Sequence, residues 1–190
     1  WAFHLDLWQN PYAVARYYNV PLWSRQHFDI MKPLMQQLAN AGQKVITASV
    51  MHHPWAGQTE DPFDSMVFRM KKIDGSWVYD YTVFDRWVEF MMSLGIDRQI
   101  NCYTLVPWAL KFDYYDQATN RIRFVEAKPG EAAYEDYWFS FLKDFAGHLR
   151  QKGWFEKTTI AMDEREKSMM QKAFDLIFRA DAGYKVSGAG

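Results

Sequence analysis

The chain has 190 residues, with 22 Lys+Arg against 23 Asp+Glu, a formal net charge of −1 and an aromatic content of 18%. So even a balance argues against the net basic face that nucleic-acid binding needs, and no apolar run approaches the roughly 18 residues that span a bilayer. The one cysteine, Cys102, excludes an internal disulfide and any Cys-rich zinc site.

The size suits one good-sized domain with a buried core. The chain begins Trp1-Ala2-Phe3, without initiator Met or signal peptide, and reads as a piece of something longer. Residues 3–8 alternate with period two, which predicts a strand: Phe3, Leu5 and Leu7 form one face, His4, Asp6 and Trp8 the other. Gln9-Asn10-Pro11 breaks it, and a loop carrying Arg16, Tyr17 and Tyr18 follows. Ser24 is placed to cap a helix over 24–40 whose apolar stripe is Phe28, Met31, Met35 and Leu38; Gly42 is placed to stop it. Pro33 lies inside this helix and should remove one hydrogen bond.

Residues 44–51 read as the next strand, ending in His52-His53-Pro54-Trp55. Asp74-Gly75 between Phe68-Arg69-Met70 and Trp77-Val78-Tyr79 predicts a hairpin. A helix over 83–93 precedes a buried strand over 99–106, closed by Pro107-Trp108. A second hairpin turns near 118–120. The longest helix, 131–151, buries Tyr134, Trp138, Phe141, Leu142, Phe145 and Leu149. A strand over 158–162 runs into Asp163-Glu164-Arg165, and a helix over 168–179 leads to a last strand at 184–187.

Five strands alternating with four helices predict an α/β fold with a parallel sheet. The doubly wound sheet lacks its phosphate loop here, since no Gly-x-Gly-x-x-Gly follows the first strand. Strand polarity favours the (β/α)8 TIM-type barrel: Thr47, Ser49, Met51 and His53, then Asn101 and Tyr103, then Thr159, Ala161 and Asp163, share a polar side. On that reading the chain covers the first five β/α units of a catalytic barrel, 1–190, truncated after the fifth strand.

Barrel chemistry sits at the C-terminal ends of strands, which here are Trp8-Gln9-Asn10, His52-His53, Trp108 and Asp163-Glu164. Flat rings for a sugar's apolar face, amides for its hydroxyls and a carboxylic acid for a departing oxygen are what a carbohydrate site requires. Asp163 and Glu164 are therefore the candidate catalytic pair, against the plain alternative that the dipeptide only caps the next helix. Trp8, Gln9, Asn10, His53, Tyr103 and Trp108 are the candidate substrate-binding residues. His52-His53 is adjacent rather than helically spaced, so hydrogen bonding is expected there and no metal; Arg165 is placed to orient Glu164 or pair with it. Trp87, Trp138 and Trp154 read as packing, and Cys102 as buried and inert.

Four motifs taken in order, His4-Leu5-Asp6-Leu7-Trp8-Gln9-Asn10-Pro11, Thr47-Ala48-Ser49-Val50-Met51-His52, Gln99-Ile100-Asn101-Cys102-Tyr103 and Thr159-Ile160-Ala161-Met162-Asp163-Glu164-Arg165, resemble the catalytic domain of glycoside hydrolase family 123. The resemblance implies a β-N-acetylgalactosaminidase acting on glycolipid or glycoprotein glycans with terminal β-linked N-acetylgalactosamine. It implies retaining, substrate-assisted hydrolysis, with Asp163 orienting the acetamido N–H and Glu164 as acid and base, no cofactor, and a periplasmic or secreted location. The family barrel has eight strands, so activity of these residues without the later strands is an open expectation. The competing readings are a non-catalytic glycan-binding barrel and a fragment inactive by itself.

Overall fold

The computed structural model describes residues 5–188. In chain order it holds α1 (Pro11–Tyr18), α2 (Arg25–Asn40), β1 (Val45–Ser49), β2 (Phe68–Lys71), β3 (Trp77–Asp80), α3 (Thr82–Ser93), β4 (Gln99–Tyr103), β5 (Lys111–Asp116), β6 (Arg121–Glu126), α4 (Ala132–Gln151), β7 (Thr158–Met162), α5 (Lys167–Ala180) and β8 (Lys185–Gly188).

β1, β4, β7 and β8 form a parallel sheet in that order, each strand joining on the side of the one before. The register sets Thr47 beside Asn101 and Asn101 beside Thr159, and one step on, Ser49 beside Tyr103 and Tyr103 beside Ala161. The polar side expected from alternation is therefore one continuous face. Ile46, Ala48, Ile100, Cys102, Ile160 and Met162 fill the other and are completely or almost completely buried. With α3 between β1 and β4 and α4 between β4 and β7, this is an α/β fold.

Local signals account for most helices. Ser24 caps α2, its hydroxyl accepting from the His27 amide at 3.1 Å, and the helix continues through Pro33. α4 carries Tyr134, Trp138, Phe141, Leu142, Phe145 and Leu149 inward, all fully buried. Trp87 and Trp138 are fully buried and Trp154 nearly so, and the Cys102 thiol is pushed well up by desolvation.

Three expectations change. Within residues 3–8, Phe3 and His4 lie outside the described residues, and Leu5 to Trp8 form no strand. The segment nevertheless runs beside β1, because two glutamines replace the backbone ladder. The Gln9 amide accepts from the Thr47 N–H at 2.8 Å and donates to the Val45 carbonyl at 3.2 Å, while Gln43 accepts from the Leu7 N–H at 2.9 Å. Among the described residues the parallel sheet thus has four strands rather than the five expected. Second, the loop expected after Pro11 is helix α1, with the Asn10 carboxamide accepting from the Ala13 amide at 3.1 Å and Pro11 at its first turn. Third, the two hairpins are one sheet, ordered β3-β2-β5-β6, because β2 and β5 pair in parallel at Met70–Tyr115 and Lys71–Asp116.

α4 packs on β3 and β6, and on α5. Beneath the second sheet the Arg69 guanidinium lies 4.1 Å from the Phe141 ring centroid, flanked by Tyr137 and Trp138.

Candidate active site

β7 is buried along its length and ends at Met162. Alternation with Thr159 and Ala161 turns the next residue, Asp163, to the polar side of the sheet. Both its carboxylate oxygens are held: the Trp108 indole N–H donates to Oδ2 at 2.6 Å and the Glu164 backbone N–H to Oδ1 at 2.9 Å. The Glu164 side chain is exposed and has no hydrogen-bond or ion-pair partner among the described residues. One carboxylate is fixed; its neighbour is free to move.

Trp108 stands where buried Leu105 and Val106 anchor the chain beyond β4. Its ring is held on its edge by Asp163 and on its face by the Arg165 guanidinium, 4.6 Å from the centroid. Arg165 thus serves Trp108; no ion pair with Glu164 forms among the described residues. These residues, with Met169 and Met170 from the first turn of α5, line an open cleft of about 550 Å³.

Three aromatic rings meet beside it. Trp8 lies 4.9 Å from Trp55 and 5.0 Å from Tyr103, and Trp55 and Tyr103 are 5.0 Å apart. Trp55 and Tyr103 are buried, whereas Trp8 keeps 46% of its surface open. Burial pushes the Tyr103 hydroxyl well up, and the charges of Asp6 and Asp163 add to the shift, so it remains a neutral donor. Asp6 in turn accepts from the Asn101 amide at 2.8 Å, whose oxygen accepts from Thr159 at 2.6 Å. A polar layer therefore underlies the rings. Trp55 was not among the expected site residues, although its place just after the His52-His53 strand end was a usable signal.

The expected set divides. Trp108, Asp163 and Glu164 share one cleft, and Trp8 and Tyr103 form the adjoining aromatic group. Gln9, only 2% exposed, has its amide committed to β1, and Asn10 has its side-chain oxygen committed to capping α1. Both were expected as sugar-binding amides; the sheet's and helix's unpaired backbone groups take them instead. His53 has a left-handed backbone (φ 53°), its ring 4.1 Å from that of His52. Desolvation, with the neighbouring His52 second, lowers its pKa below the ordinary imidazole value, so it is a neutral hydrogen-bonding group at neutral pH. His52 pairs with Asp64 at 3.1 Å. Among the described residues no group of three or more His, Cys, Asp or Glu is arranged to hold a metal ion, and no helix is long and apolar enough to cross a membrane.

Comparison with known proteins gives this geometry a family. The model of the glycoside hydrolase 123 catalytic domain matches residues 8–190. A family 123 glycoside hydrolase from Clostridium perfringens, whose structure was analysed for the details of glycolipid glycan hydrolysis, superposes with a TM-score of 0.90 at 34% identity. The match covers 96% of this chain and 33% of that one, so the chain spans about a third of its solved relative. A search of curated proteins finds no match. With a family model matched over nearly its whole length and a fold shared at this identity, the chain belongs to glycoside hydrolase family 123, as part of its catalytic domain.

Proposed function

We propose that the protein releases terminal β-linked N-acetylgalactosamine from glycans, glycolipid or glycoprotein, by a retaining, substrate-assisted mechanism. The observation that carries this is the asymmetry of the adjacent carboxylates. Asp163, gripped through both oxygens, suits a fixed charge that orients the substrate's 2-acetamido N–H. It also supports the positive charge developing there as the acetamido oxygen attacks the anomeric carbon. Glu164, exposed and unpaired, suits a group that first protonates the glycosidic oxygen and then takes a proton from the incoming water. The attacking oxygen belongs to the substrate, so the protein need only enforce its position. Trp8 and Tyr103 would receive the sugar's apolar face.

The unidirectional strand order β1-β4-β7-β8 favours a (β/α)8 barrel begun by these residues and completed by further strands. We extend the reading to an exported setting, periplasmic or secreted, where such glycans are met.

The test uses the full-length enzyme with an unactivated β-N-acetylgalactosaminide. Glu164→Gln should lose about 10²–10⁴ of the turnover, the range expected for a general acid. Asp163→Asn should also lose much of the rate, and the first-formed product should retain the β configuration. Near-normal turnover by Glu164→Gln sinks the assignment.

A further inference from the structure

We infer that the sheet formed by the two hairpins is a docking surface for a lipid bilayer, holding the catalytic edge against a membrane that displays glycolipid; this rests on the glycolipid branch of the proposed function. Topology gives the placement. β2–β3 is inserted between β1 and α3, and β5–β6 between β4 and α4. Both hairpins therefore leave from the C-terminal ends of the parallel strands, the edge that carries Asp163 and Glu164. β2 and β5 run parallel, which brings the two turns to the same end of their sheet. Gln117 fastens these turns together: its backbone N–H donates to the Lys71 carbonyl at 3.0 Å, and its side-chain oxygen accepts from the Ile73 amide at 3.2 Å. Lys71 also pairs with Asp136, near the start of α4, at 2.9 Å. Because α4 begins on the catalytic side, the turns lie on that side too.

The surface so placed is apolar. Ile73, in the first turn, is 75% exposed, and a Cβ added at Gly75 in the same turn would meet no atom within 4 Å. Along β2, alternation sends Arg69 to the α4 aromatics and Phe68 to the opposite face. There the Phe68 and Tyr115 rings lie 6.1 Å apart, Ile122 is the cross-strand partner of Tyr115, and Phe124 follows two residues on. Phe68, Ile122 and Phe124 are all exposed.

Charge selects the occupant. Lys72 and Arg121, one in each hairpin, border the patch without an ion pair among the described residues. The nearby carboxylates are engaged within the sheet: Asp74 accepts from the Ser76 amide at 2.9 Å and hydroxyl at 2.7 Å, and Asp116 accepts from Thr119 at 2.7 Å and lies 4.0 Å from Arg123. Apolar side chains that sink among the headgroups, with cations at their rim to meet phosphates, make an interfacial membrane contact. A projecting turn cannot enclose a small ligand, which needs a concave site, but a soft planar surface receives it. Retention at the bilayer raises the effective concentration of a lipid-borne glycan at the cleft without any new contact to the glycan.

The experiment uses the full-length enzyme and vesicles of phosphatidylcholine and phosphatidylserine that contain no glycolipid, so the catalytic cleft has nothing to hold. The wild type should co-sediment with the vesicles, and less so as salt is raised. Ile73→Ser should lower the partition coefficient about tenfold, the order expected for withdrawing one aliphatic side chain from an apolar phase, and Lys72→Glu with Arg121→Glu should lower it again. With a β-N-acetylgalactosaminyl glycolipid added to the vesicles, kcat/KM on it should fall in step. Turnover of a soluble aryl β-N-acetylgalactosaminide and the thermal midpoint should stay at their wild-type values. A wild-type enzyme left in the supernatant, or variants that sediment as it does, overturn the docking surface and leave the hexosaminidase reading standing. A wild type that stays in the supernatant as a dimer, and becomes monomeric on Ile73→Ser, gives the patch to a second copy and likewise overturns it. Cleavage of the aryl substrate without cleavage of the vesicle-held glycolipid overturns the glycolipid branch instead.

Discussion

Trp108→Phe isolates one hydrogen bond. The change keeps an aromatic ring for the Arg165 guanidinium and deletes the indole N–H that donates to Asp163 Oδ2 at 2.6 Å. Hydrogen bonds to charged groups contribute about 1.5–3 kcal/mol, and the lower end applies where water can replace the donor. Asp163 is only partly buried and Trp108 is 42% exposed, so about 1.5 kcal/mol is the appropriate magnitude. At roughly 1.4 kcal/mol per factor of ten, kcat should fall about tenfold. The loss should appear in kcat more than in KM if Asp163 acts on charge that develops during reaction rather than on the bound substrate. Thermal stability should change by less than about 0.5 kcal/mol, as for other surface substitutions. Steady-state kinetics on an aryl β-N-acetylgalactosaminide, beside calorimetric unfolding, separate the two. Wild-type kcat in Trp108→Phe would refute the idea that the indole holds the orienting carboxylate.

The remaining predictions concern the scaffold. His27 is fully buried; its Nδ1 accepts from the Trp23 amide at 3.1 Å and its Nε2 donates to the Pro11 carbonyl at 2.9 Å, an arrangement only the neutral ring can make. Desolvation holds its pKa below the ordinary 6.5, so the unfolded chain binds the extra proton first and stability should fall as pH drops below about 6.5. His27→Gln should flatten that decline in urea titrations between pH 7 and 5; an unchanged slope means another group titrates. Ser24→Ala should lower stability by about 1 kcal/mol and Ser24→Asp should restore most of it, measured by chemical denaturation. Cys102, fully buried with its thiol pKa raised, should resist a thiol reagent in the folded protein and react at once in denaturant; fast native labelling would contradict its burial.

Elements whose signals are local could be read from the residues alone. Ser24, Gly42 and the 28–31–35–38 stripe delimit α2, and Asp74-Gly75 marks its hairpin, because caps and turns are decided by neighbouring backbone groups. The parity that gathers Thr47, Asn101 and Thr159 on one face was likewise legible, since alternation is built into a strand. Helix α1 was missed although Asn10-Pro11 carries both a cap and a preferred first residue; Arg16, Tyr17 and Tyr18 lie exposed and supply no apolar stripe. Pairing between β2 and β5 had no local sign, because 40-odd residues separate the strands and only tertiary packing joins them. For the candidate site, position at a strand end singled out Trp108, Asp163 and Glu164, and these three line one cleft. Residue type alone did not reveal that Gln9 and Asn10 engage backbone groups, since an amide serves an unpaired backbone group as readily as a sugar hydroxyl.

The glutamine bridge at the start of the chain has a consequence for alignment. A backbone ladder can slip by two residues and still present the same faces. The Gln9 carboxamide pins the segment at one point, meeting the Thr47 N–H and the Val45 carbonyl together, while Gln43 holds the Leu7 N–H. Together these bonds hold the segment at its observed offset along β1. That offset delivers Asp6 to Asn101 and Trp8 to the pair formed by Trp55 and Tyr103. Buried amides on both sides of this contact thus help to hold the aromatic wall in place relative to the carboxylates across the sheet.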